Sequence, residues 1–76
     1  MGDFISITAQ TKIRVAQDCL RSAVVSAKTK RGMQSVLNEW EVKAKEAGFA
    51  SLRAWVEASQ AAGHLPGAML APKWEE

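Results

Sequence analysis

Residues 33–47 read MQSVLNEWEVKAKEA, residues 48–51 read GFAS and residues 52–62 read LRAWVEASQAA. In the first run Met33, Val36, Leu37, Trp40, Ala44 and Ala47 recur at the spacing of one face of a 3.6-residue helix. On the opposite face Glu39 precedes Lys43, and Glu41 precedes Lys45, by four positions. Acid before base is the favourable order, at about 0.2–0.5 kcal/mol per pair. Gly48 stands where a left-handed residue closes a helix, because glycine has no Cβ to clash there, and Phe49 after it can fold back onto Ala44. Ser51 is a natural N-cap for a second helix whose inner face is Leu52, Trp55 and Val56. Gly63 ends that helix, and Pro66 opposes its resumption. A link of about four residues makes the two arms neighbours, so Trp40 and Trp55 are expected to meet. The stretch predicts a helical hairpin and an all-α fold.

Upstream, residues 8–30 admit two readings. As a helix, Ile13, Ala16, Leu20, Ala23, Val24 and Ala27 form a core-facing stripe about 100° wide. Arg14, Arg21 and Lys28, seven apart, would flank it as a basic line of about 20 Å. As a strand, residues 23–30 (AVVSAKTK) offer β-branched side chains and partial alternation. The helix has more matches, so a long N-terminal amphipathic helix over 8–27 is expected, with a short β-ribbon over 24–31 as the alternative. Gly32 is expected to break the chain before the hairpin.

Residues 1–7 read as an apolar leader, loose or briefly extended, in which Ser6 is one candidate cap and Thr8 just beyond is the other. Residues 8–62 form one helical domain on this reading. Residues 63–76 form a Gly/Pro-containing tail whose apolar residues include Met69, Leu70 and Trp74.

Seventy-six residues bound the chain to one small domain, which buries a modest share of its surface and gains from dimerising or binding. The single cysteine leaves no internal disulfide, which suits a reducing cytoplasm. No apolar run approaches the roughly 20 residues of a membrane span, and residues 1–20 lack the pattern of a secretory signal. Net charge is +2, unevenly spread. Residues 1–32 carry six cations against two acids, or +4, and residues 33–76 carry four against six, or −2. A basic half beside an acidic one suggests a charged partner, although a solvated surface would give the same count.

Chemistry-bearing groups are sparse. There is one histidine, His64, in a Gly/Pro-rich link, one cysteine, Cys19, beside the apolar stripe, and no tyrosine. A Cys–His pair without a third orienting group is a poor nucleophile. Metal-ligand spacing and a phosphate-cradling glycine loop are both missing from the sequence. The expectation is a protein that is not an enzyme and has no catalytic residues, cofactor, metal or small-molecule substrate.

Residues 40–56 (WEVKAKEAGFASLRAWV) resemble the helix–turn–helix half of ribbon-helix-helix DNA-binding proteins, carried by Gly48-Phe49, Ser51-Leu52 and Trp55-Val56. The resemblance covers about 30 residues and rests on helix-capping chemistry. It implies an obligate dimer that reads the DNA major groove with a paired strand ahead of its first helix. Here that strand would be residues 24–31, with Ser26, Lys28 and Lys30 facing outward. The sequence departs from the pattern in Ala23 and Ala27, which are poor strand residues, in the Gly32 separation, and in the helical periodicity running through the stretch. A groove-reading second helix fits less well, since Arg53 is its only base and faces Glu57.

Two functions follow as expectations. The first is a small DNA-binding regulator, dimeric, with Arg14, Arg21, Lys28, Lys30 and Arg31 on phosphate. The second is a protein-binding adaptor or inhibitor of the phage or plasmid kind, without nucleic-acid contact. It would use the basic stripe on an acidic protein surface, or Met69, Leu70 and Trp74 as anchors.

Overall fold

Three serines decide where the helices start in the computed structural model, which describes residues 4–74. Ser6 opens α1 (Ile7–Arg21), Ser26 opens α2 (Ala27–Glu46) and Ser51 opens α3 (Leu52–Ala61). Each serine hydroxyl accepts from the backbone N–H three residues on, at Ala9, Thr29 and Ala54. A cap of this kind is worth about 1 kcal/mol. The described residues form helices and connections only, so the fold is all-α. Residues 1–3 of the expected leader and residues 75–76 of the expected tail lie outside the described range.

The hairpin forms as its sequence predicts. Gly48 takes φ +94°, its N–H donates to the Lys45 carbonyl, and the Phe49 N–H donates to the Ala44 carbonyl. These are the two bonds of a Schellman end, which satisfies carbonyls that the helix leaves unpaired. Trp40 and Trp55 meet with ring centroids 6.3 Å apart, and Phe49 stacks on Trp55 at 6.4 Å. Aromatic contacts at such separations add about 0.5–1.5 kcal/mol beyond the area they bury.

The same device closes α3. Gly63 takes φ +104°, its N–H donates to Gln60, and the His64 N–H donates to Ser59.

Three expectations about the first half are corrected. The N-terminal helix stops at Arg21, and residues 22–26 form a link. The apolar stripe therefore holds at Ile13 and Ala16, which are buried, and at half-buried Leu20. It ends before Val24, which sits in the link 94% exposed. The alternative ribbon over 24–31 does not form either: residues 24–26 belong to the link, and 27–31 are the opening turns of α2. Ser26 supplies the reason, since its side chain caps Thr29 and starts the helix there. Gly32, expected as a break, lies inside α2 with no positive φ.

The core is Ile5, Ile13, Ala44, Leu52, Trp55 and Val56, with Leu37, Trp40, Phe49 and Trp74 packed around it. α1 lies along α2, and α2 packs on α3. A polar network fastens one end. The Ile5 N–H donates to Ser59 Oγ, whose hydroxyl donates to the Trp55 carbonyl. Gln10 is fully buried; its Nε2 donates to the carbonyls of Ile5 and His64, and its Oε1 accepts from Gln60 Nε2. Buried amides are tolerated when partnered in this way. His64, in the Gly/Pro-rich link, is half-buried and its ring meets Phe4 at 5.8 Å.

Candidate nucleic-acid interface

From Cys19 to Asn38 the chain carries Arg21, Lys28, Lys30 and Arg31 and no acidic residue. The fold gathers this run at the end of α1, the link and the first half of α2. Lys28 and Arg31 are exposed and Lys30 is half-buried. They stand in the opening turns of α2, whose first turn holds no acid. The N–H groups of Ala27 and Lys28 are among the four that a helix start leaves unpaired, and they find no partner among the described residues. Unpaired N–H groups and the helix dipole together favour an anion at this end. Cations placed here oppose the dipole, at about 0.3–1 kcal/mol each when exposed.

Arg14 and Arg21 are placed differently. They remain seven apart on α1, but Lys28 belongs to another helix, so the expected 20 Å line of three does not exist. Arg14 is 17% exposed at its side chain and pairs with Asp18 at 3.0 Å. Its Nη1 also donates to the Ala71 carbonyl at 3.0 Å. Arg21 Nη2 donates to the Lys73 carbonyl at 2.8 Å. Between them Gln17 Oε1 accepts from the Lys73 N–H at 2.8 Å. Side chains at 10, 14, 17 and 21 follow the helical repeat, so one face of α1 grips the main chain of residues 64–73. Buried Pro66 and Pro72 pin the same segment.

The tail's apolar residues divide. Met69 is 86% exposed and Leu70 is also exposed, while Trp74 packs against the core. Beside Trp74 an open cleft of about 390 Å³ is lined by Gln17, Leu20, Arg21, Leu37, Lys73 and Trp74.

No family model matches the chain, and no curated protein or solved structure matches it either. The candidate site therefore rests on its own chemistry. The paired strand of the ribbon-helix-helix likeness has no counterpart among the described residues.

Elsewhere the carboxylates serve structure. Glu41, expected to pair with Lys45, instead accepts from the Leu52 N–H at 3.0 Å and joins the two arms. Lys43 lies over the Trp40 ring at 4.5 Å, where a pair with Glu39 was expected. Arg53 pairs with Glu57 at 3.0 Å, as the sequence predicts. Among the described residues there is no cluster of three or more His, Cys, Asp or Glu able to hold a metal, and no helix is long and apolar enough to cross a membrane.

Sequence reasoning missed Gln17 and Lys73 as parts of one cleft. The signal within reach was their neighbours: Gln17 lies one turn from Leu20 and Arg21, and Lys73 directly precedes Trp74.

Proposed function

We propose that this protein is a small nucleic-acid-binding regulator that contacts phosphate through the start of α2. The observation that carries the reading is the acid-free run from Cys19 to Asn38, whose Lys28, Lys30 and Arg31 crowd a helix N-terminus that already favours anions. Cations there cost the free helix stability, and bound phosphate removes that cost. Ser26 and Thr29 add hydroxyls beside the cations. Arg14 and Arg21 contribute less on this reading, because their guanidinium groups hold the tail. Contacts of this kind give affinity and salt dependence rather than choice of sequence.

The test is titration with a random-sequence DNA duplex at several salt concentrations. Three phosphate contacts predict a log–log slope of about −3, and Lys28→Ala with Lys30→Ala should lower its magnitude by about 2. Alanine is the best helix former and neither position belongs to the core, so lost binding will not reflect lost folding. Unchanged binding in the double variant overturns the reading.

A second reading has one observation in its favour. Leu65, Met69 and Leu70 are all exposed on a tail segment whose main chain is tied down. Fixed apolar side chains of this kind suit a protein partner. Met69→Ser with Leu70→Ser should then abolish partner capture and leave DNA titration untouched.

A further inference from the structure

The cleft beside Trp74 has a chemistry that phosphate contact does not use. Trp40 and Trp55 face each other, and Phe49 covers Trp55. Trp74 is the tryptophan without a ring partner among the described residues. It packs against the core on one side and lines the cleft on another. Leu20 and Leu37 supply apolar wall, and Lys73 and Arg21 supply positive charge. Gln17 adds a directed polar group. It is only 6% exposed, and its Oε1 is held by the Lys73 N–H, which fixes how the amide is turned. Its Nε2 makes no hydrogen bond among the described residues, although the residue lines the cleft. No buried side-chain nitrogen or oxygen among the described residues lacks a partner, so this donor is reached by solvent through the cleft and is open to an acceptor bound there.

An aromatic surface, one oriented amide donor, apolar walls and adjacent cations together match a nucleobase with its phosphate. Bases inside a duplex are stacked on both faces and cannot reach such a cleft. Resting on the phosphate-contacting reading above, we propose that the Gln17–Trp74 cleft takes one unstacked base, so that the ligand class is single-stranded nucleic acid. The base stacks on the Trp74 indole, and a base carbonyl accepts from Gln17 Nε2. Lys30 lies seven residues before Leu37 on α2, about 10 Å along the same face, so a strand leaving the cleft runs toward the cationic helix start.

The experiment uses the full chain, a twelve-nucleotide oligo-dT, a blunt duplex of about equal length and free dTMP, with tryptophan emission recorded at low and moderate salt. The expected result is tighter binding of oligo-dT than of duplex, with emission quenched by oligo-dT alone. Trp74→Leu should weaken oligo-dT binding by about five- to 150-fold, the range for losing one base–aromatic stack, and leave duplex binding unchanged. Trp74→Phe keeps a ring, so it should retain most of the affinity while losing the quench. If Trp74→Leu fails to fold, the wild-type strand preference and the Trp74→Phe quench still decide. Equal or tighter duplex binding without quenching overturns the cleft assignment and leaves the phosphate reading standing. Absence of binding to any DNA at low salt overturns both. Binding of dTMP as tight as that of the oligonucleotide overturns the strand as ligand in favour of a free nucleotide.

Discussion

α2 is twice as long as α3, yet it buries one residue, Ala44, where α3 buries Leu52, Trp55, Val56 and Ser59. Length and anchorage are therefore separate properties in this molecule. A short helix is stabilised by what it packs against, since ten residues alone are too few to persist in water. The first half of α2 has no buried side chain and relies on its cap, its intrahelical bonds and its continuity with the anchored half. Of these two helices α3 carries most of the buried anchorage, and the cationic surface sits on the half of α2 that buries nothing. A side chain with few neighbours is free to serve a partner.

The largest way to break this contrast is Leu52→Ala. Leu52 is fully buried at the start of α3, and its truncation should cost about 2–5 kcal/mol in chemical denaturation. Val36, half-buried on α2, should cost less than half as much when truncated to alanine. Equal costs would mean that the first half of α2 is anchored as firmly as α3.

Next comes Gln10→Ala, which removes the amide joining the Ile5 and His64 carbonyls to Gln60. Leaving those groups unpaired should cost about 1–3 kcal/mol. The loss should appear as a lower denaturation midpoint without altered DNA binding, because the network lies at the opposite end of α1 from Arg21.

Caps offer a finer test. Ser26→Ala and Ser51→Ala each remove one cap worth about 1 kcal/mol. For Ser51 the cost should reach global stability, since Leu52 follows directly. For Ser26 it should appear mainly as faster amide hydrogen exchange over the first turns of α2, as a locally opening segment behaves. A global loss from Ser26→Ala would show that the start of α2 folds as one unit with the core.

The sequence made the hairpin legible because its signals are local. Gly48, Ser51 and the spacing of Trp40 and Trp55 act within a few residues of one another. The break between α1 and α2 was misplaced for a related reason. Helical periodicity carries no mark of where a helix stops, and Ala23, Val24 and Ala27 continue the stripe although the first two sit in the link, the third opens α2, and none meets the core. The discriminating residue was Ser26, whose side chain reaches Thr29. The grip of Arg14, Gln17 and Arg21 on the tail was not legible at all. Those side chains bind main-chain groups, and every residue other than proline offers the same N–H and carbonyl. The cationic cluster at Lys28, Lys30 and Arg31 could be read from composition, but its place at a helix start could not be fixed until the Gly32 break was discarded.

The smallest effect bears directly on that break. Gly48 and Gly32 both have open space where a Cβ would go, so an added methyl meets nothing in either place. They differ in backbone alone: Gly48 is at φ +94°, and Gly32 is an interior residue of α2 without a positive φ. Gly48→Ala should therefore destabilise by about 1–2 kcal/mol through left-handed strain. Gly32→Ala should stabilise by about 0.5–1 kcal/mol, because alanine has less freedom to lose on entering a helix. Opposite signs from the same chemical change, measured by thermal unfolding, would show the helix running through Gly32 and carrying the cations on one continuous arm. A loss of stability at Gly32 would mean that the glycine interrupts the helix. Lys28, Lys30 and Arg31 would then sit on a segment separate from the anchored half, and the contrast between the two helices would become one between a helix and a loop.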